Sequence, residues 1–237
     1  GNLTRNIIIT SSELTAQKNH YCANGEKLTH PEQCIMRGHT AFMARSNVDI
    51  RYVRFSNLGR SNNFTRQDNS RGSPNVTIIG ANHLGRYPLH MRSLIGPVTP
   101  QSNGYQFTLI GNSIDGGTAS HVFKYGIDIN RSHYGLIQNN IVYNMNGAGI
   151  SLSAGTESMN VVEKNFAIRI PGDGWKPLTM VGNGTPGSIG VGFYLKGLNN
   201  IFRDNDGNSA RPLPNWDADA RMIAPGLEHR VRENRYP

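Results

Sequence analysis

One short phrase recurs in this chain: an aliphatic residue, two variable residues, an Asn, and then a return to aliphatic residues. It occurs as Leu109–Asn112, Ile137–Asn140 and Val162–Asn165, and more loosely as Phe202–Asn205, with Asn-to-Asn steps of 28, 25 and 40 residues. A period of this length points to a solenoid, in which each repeat is one supersecondary unit that buries its apolar face only against its neighbours. The local pattern within each phrase is a short β-strand running into a corner. Alternate strand residues face inward and must be apolar, while parallel strands of successive coils stack about 4.8 Å apart. Asn tolerates the backbone angles of a corner, and its amide can bond to the Asn of the next coil. The prediction is an all-β chain: a right-handed parallel β-helix of the pectin-lyase type. An ordinary β-sandwich punctuated by Asn and Gly would not keep the same internal order four times.

The 237 residues suit one elongated domain of about nine coils at roughly 25 residues each. Residues 1–210 form the predicted β-helix. The regular pattern is interrupted by a Cys-bearing excursion at 13–36, a polar loop at 57–74 and a Gly/Pro-rich loop at 171–190. Residues 211–237 lose the repeat and read as an irregular cap or wrap. Candidate strands include Leu3–Thr10, Val48–Phe55 and Asn75–Gly80. No apolar run is long enough to span a bilayer. The chain opens at Gly1 in mid-pattern with no signal peptide, and reads as a piece of something longer.

The formal net charge is +8, with much of the excess carried by Arg. A basic surface favours polyanions, and Arg grips carboxylates and sulfates with two parallel hydrogen bonds. No dense basic run or RNA-binding signature is present, so an acidic polysaccharide is a better partner than nucleic acid. Cys22 and Cys34 lie 12 residues apart in one excursion. A disulfide, and with it an oxidising extracellular compartment, fits that spacing. A zinc site using His20 and His30 as further ligands is the other reading. N-x-S/T sequons at Asn2, Asn63, Asn75, Asn130 and Asn183 matter only in a eukaryotic secretory pathway.

The segments LTRNIIITS, RGHTAFM, VRFSNLGR, GRYPLH, SHYGLIQNNIVYN, GAGI and EKNFAIR together resemble the β-helix that follows the eight-glycine domain in a family of secreted proteins. That family includes fibrocystin and the cell-migration-inducing hyaluronan-binding protein. The resemblance runs in order over roughly residues 3–209, without the eight-glycine domain itself. It implies an extracellular β-helix and, from some animal members, binding or depolymerisation of hyaluronan. Two family features are missing. His90-Met91-Arg92 stands where relatives carry a His-x-His pair, and Ser151 to Ala154 stands where they often carry Glu-Asp.

The remaining candidates for chemistry are His90, Asp115, Asp128 and His133. If stacked coils bring them to one face, they could abstract a proton beside a uronate carboxylate, with Arg92 neutralising that carboxylate. A hydrolase would instead use two carboxylates flanking the scissile bond. Tyr134, Trp175 and Tyr194 are candidate sugar-stacking residues. The competing reading makes the histidines hydrogen-bonded corner residues. No motif demands a cofactor; calcium is the one metal that acidic-polysaccharide chemistry leaves open. Three function classes follow: a polysaccharide lyase or hydrolase, a non-catalytic glycan-binding module, and a structural module that self-associates through its coil ends.

Overall fold

A computed structural model of the protein describes residues 7–11, 37–61, 85–96, 101–117, 125–145, 147–170 and 190–208. The Cys22–Cys34 pair, Trp175, the candidate strand Asn75–Gly80, the irregular segment 211–237 and the sequons at Asn2, Asn63, Asn75 and Asn183 lie outside those residues. After β1 (Ile7–Thr10), the strands come in threes. These are β2 (Thr40–Met43), β3 (Val48–Arg51) and β4 (Val53–Ser56), then β5 (Leu89–Arg92), β6 (Phe107–Ile110) and β7 (Ser113–Asp115). The next are β8 (Tyr125–Asn130), β9 (Gly135–Gln138) and β10 (Ile141–Tyr143), then β11 (Ala148–Leu152), β12 (Val161–Glu163) and β13 (Phe166–Ile168). The last are β14 (Val191–Leu195), β15 (Ile201–Arg203) and β16 (Asp206–Asn208).

Every third strand pairs in parallel with the next. The first sheet runs β1-β4-β7-β10-β13-β16, the second β2-β5-β8-β11-β14, and the third β3-β6-β9-β12-β15. This is a right-handed parallel β-helix, as the repeat predicts. Five full coils and one leading strand lie within the described residues, where a uniform 25-residue coil gives about nine. Insertions between strands lengthen the real coils. The stretch 48–55 alternates as one strand in sequence but is two strands in space. Tyr52 turns the corner between them, with φ 58°.

The interior follows the register. On the first sheet Phe55, Ile114, Val142, Ala167 and Gly207 stack inward, and their side chains shrink along the axis. The second sheet compensates. Phe193 fills the space above Gly207, where an added Cβ would meet its ring at 3.2 Å, and it packs edge-on to Phe202 at 5.2 Å. Constant packing density is thus kept although no single column is uniform.

The corner between the third and first sheets carries the predicted ladder. The Nδ2 of Asn112 donates to Oδ1 of Asn140, that of Asn140 to Asn165, and that of Asn165 to Asn205, at 3.0, 3.0 and 2.9 Å. Each Oδ1 also accepts a backbone N–H of the preceding coil, ending with Val53 N on Asn112. Each Nδ2 also donates to a carbonyl further back, at Ile50, Leu109, Ile137 and Val162. Buried amides must be paired or they cost stability, and here each residue pairs with a copy of itself. In the first full coil Val53 occupies the Asn position, so the ladder ends at Asn112.

A second ladder, not anticipated from the repeat phrase, runs at the corner between the second and third sheets. Asn160 Nδ2 donates to Asn200 Oδ1 at 2.9 Å, and Gly135 N donates to Asn160 Oδ1 at 2.8 Å. Its signal in the sequence is Asn-x4-Asn: Asn160 precedes Asn165 by the same step as Asn200 precedes Asn205.

Candidate functional site on the outer face of the second sheet

Outward-facing residues of the second sheet line up in two rows. In the inner row, Ala41, His90, Asp128, Ser151 and Tyr194 are successive register partners. Two residues further along each strand, Met43, Arg92 and Asn130 continue as a second row. Ser153 and Lys196 extend it: Asn130 Nδ2 donates to Ser153 Oγ at 2.9 Å, and the backbone ladder continues through Ser153 N to Ile129 O and Lys196 N to Leu152 O. The rows differ in access. His90, Asp128 and Ser151 are at most 3% exposed. Arg92 and Lys196 are exposed, and Asn130 and Ser153 are half-buried.

The buried pair is tightly framed. The carbonyl of Gly85 can only accept, so the 2.9 Å bond to His90 Nδ1 puts a ring proton on that nitrogen. Nε2 is then turned to Asp128 Oδ2, 3.3 Å away. Burial lowers the His90 imidazolium to about 4, and nearby Arg92, His39 and Arg86 push the same way while the Gly85 carbonyl opposes them. The ring is therefore neutral at pH 7, and its Nε2 lone pair faces Asp128 with neither a hydrogen bond nor an ion pair between them. Gly85 has φ 85°, and a Cβ there would meet His90 Cε1 at 2.8 Å, so only glycine lets the ring lie against this turn. Tyr87 packs edge-on to His90 at 5.3 Å and tilts against Tyr125 at 4.9 Å. Burial holds both phenols well above their ordinary value, with the charge of Asp128 adding to it.

The other sequence candidates go elsewhere. Asp115 lies on the outer face of the first sheet, where Oδ2 is 3.2 Å from Arg54 Nη2 and Oδ1 accepts the Gly117 N–H. It does not join His90, because β7 and β8 follow one another in sequence but belong to different sheets. His133 lies past the end of β8. Its Nδ1 accepts the Ser158 N–H at 3.2 Å and contacts Ser158 Oγ at 2.9 Å, which is the role of a bonded corner residue. Tyr134 follows it with φ 57° and is 44% exposed at the corner into the third sheet. Tyr194 ends the inner row, with Lys196 Nζ 5.9 Å from its ring centre. Asn130, Ser153 and Lys196 belong to this face although no motif singled them out. Their signal in the sequence is a polar pair at i and i+2 in successive coils: His90/Arg92, Asp128/Asn130, Ser151/Ser153 and Tyr194/Lys196.

Among the described residues no group of three His, Cys, Asp or Glu side chains comes together to hold a metal ion. No helix among them is long and apolar enough to cross a membrane.

The family model for the CEMIP β-helix matches residues 74–206, more than half of the chain and all of the strands from β5 to β15. The chain belongs to the CEMIP β-helix family. It matches no curated protein and no solved structure. Within the CEMIP β-helix the two rows fall inside the matched region from His90 to Lys196. Arg92, Ser151 and Ser153 sit in those same rows.

Proposed function

We propose that this protein is an extracellular module that holds an acidic polysaccharide against the outer face of its second sheet, without cleaving it there. The observation that carries this reading is the contrast between the rows. The groups with acid/base chemistry, His90 and Asp128, are buried beside Tyr87 and Tyr125, and the groups a polymer can reach are Arg92, Asn130, Ser153 and Lys196. Arg92 and Lys196 would neutralise carboxylates, and Asn130 and Ser153 would bond hydroxyls. The two ends of this row lie three strand steps apart, about 14 Å at the usual spacing, which is long enough for several sugar residues. The Tyr194 ring offers a stacking surface beside Lys196.

The test is retention on immobilised hyaluronan, alginate and pectate. It is paired with assays for unsaturated uronate absorbance and new reducing ends, with and without calcium. Salt-sensitive retention with no product is expected. An unsaturated product that disappears in His90→Ala would replace the binding reading with a lyase.

A second reading has its own observation. In β1, Ile7 and Ile8 are 60% and 58% exposed, and among the described residues the strand has one partner, β4. An apolar strand edge of this kind can pair with another copy. Sedimentation of the protein against an Ile8→Lys variant distinguishes a self-associating module from a monomeric binder.

A further inference from the structure

Three segments far apart in sequence are knitted together beside His90. Gly59 N donates to Gly38 O at 2.7 Å, and Arg60 N and Ser61 N both donate to Arg86 O, at 2.8 and 3.2 Å. Arg86 N in turn donates to Ser61 Oγ at 3.0 Å. A Cβ on Gly85 would lie 4.0 Å from Arg92 Nη1, so the Arg92 guanidinium returns along its own strand to the same turn. His39, Arg60, Arg86 and Arg92 are thereby gathered at one end of the outer row.

Among the described residues the guanidiniums of Arg60, Arg86 and Arg92 form no ion pair with a carboxylate. The ion pairs there use Arg51, Arg54 and Arg203, not Arg60, Arg86 or Arg92. The nearby carboxylate, Asp128, faces His90. The buried Nε of Arg86 has no hydrogen-bond partner. Crowding shows in the titration of the group. Burial and then Arg86 pull the Arg60 guanidinium down, and burial, Arg86 and Arg60 lower His39 to about 4. A protein gains nothing from packing like charges together unless something negative is to be held there.

We infer that Arg60, Arg86 and Arg92 form a site for a single oxyanion, a carboxylate or a sulfate group. It sits at the β5 end of the polymer-binding face. The inference rests on the reading of that face for the source of the oxyanion, but not for its chemistry. Guanidiniums offer paired N–H donors to either group, and the Arg86 Nε–H gains the partner it lacks.

Calorimetric titration with inorganic sulfate, at low chloride, tests the site in the intact chain. One sulfate should bind, and Arg86→Gln should weaken it about tenfold, the loss expected for a charge-assisted hydrogen bond. Arg92→Gln, at an exposed position that folding tolerates, should weaken it as well, and Lys164→Gln, at a distant corner, should not. No sulfate binding, or binding indifferent to both Arg86→Gln and Arg92→Gln, overturns the site. Retention on pectate, which has carboxylates, and on carrageenan, which has sulfates, identifies the source. Sulfate binding without retention on either polymer keeps the oxyanion site and removes the glycan reading. Retention without sulfate binding does the reverse.

Discussion

Asn140 and Asp128 lie in the same coil, both fully buried, yet they belong to regions built on opposite terms. The Asn corner repeats: Asn112, Asn140, Asn165 and Asn205 stack as one residue type. The inner row on the outer face of the second sheet changes at every step, from His90 to Asp128 to Ser151 to Tyr194. A parallel in-register stack places each residue over its counterpart. An amide carries both a donor and an acceptor, so it can satisfy itself indefinitely. A carboxylate or an imidazolium cannot, because like charges one strand apart repel in a medium of low dielectric. Repetition is therefore available to the part of the coil that holds the fold together. It is denied to the part that carries charge.

The largest expected effect breaks the repeating side. Asn140→Ala strips a partner from each of Asn112 N, Asn112 Nδ2, Leu109 O and Asn165 Oδ1, all buried. The cost should be about 4 kcal/mol, since each orphaned buried group costs roughly 1–3 kcal/mol before relaxation. At the half-buried end of the same ladder, Asn205→Ala should cost about 1–2 kcal/mol. Urea unfolding of both variants measures the difference. Equal costs would mean that the amides act independently and that the ladder is not a cooperative element.

The second prediction separates the regions by pH. The ladder amides do not titrate. His90 and His39 are both depressed to about 4, chiefly by burial, against an unfolded value of about 6.5. Between those values the unfolded chain binds more protons than the folded one, so stability falls as pH falls. It should be level above about pH 6.5 and decline steadily towards pH 4. His90→Gln should lose part of that slope while Asn140→Ala keeps all of it. Urea midpoints from pH 7.5 to 4.5 give the answer. A wild-type profile that stays flat down to pH 4.5 contradicts the buried neutral imidazoles.

The same contrast explains what is legible in the sequence. Repetition is visible as a period, so the Leu-x-x-Asn phrase alone locates the ladder and its 28-, 25- and 40-residue steps. It also locates the strands around it, because each phrase must contain one. The Asn160–Asn200 ladder escapes because it spans fewer coils, with Gly135 in the next position. The site is legible only in fragments. His90 and Asp128 can be nominated, but their pairing depends on register across 38 residues, and Asp115 looks equivalent until the strand order puts it on the first sheet. The gathering of His39, Arg60 and Arg86 depends on backbone bonds between segments separated by long insertions, and no local pattern encodes those.

The smallest effect on stability sharpens the comparison from the other side. Arg92 and Lys196 are exposed, neither takes part in an ion pair among the described residues, and Lys196 lies over the Tyr194 ring. Replacing both with Gln should move the unfolding free energy by no more than about 0.5 kcal/mol, as surface substitutions usually do. Retention on an acidic polymer should fall in the same protein, and elution should shift to lower salt because exposed charges are screened. If the double variant instead unfolds early, the outer row is holding the coil together and is not free for a ligand. If it is stable and still retained, the polymer is held elsewhere on the basic surface. Stability unchanged with retention lost is the outcome in which one solenoid uses its repeated residues to fold and its unrepeated ones to bind.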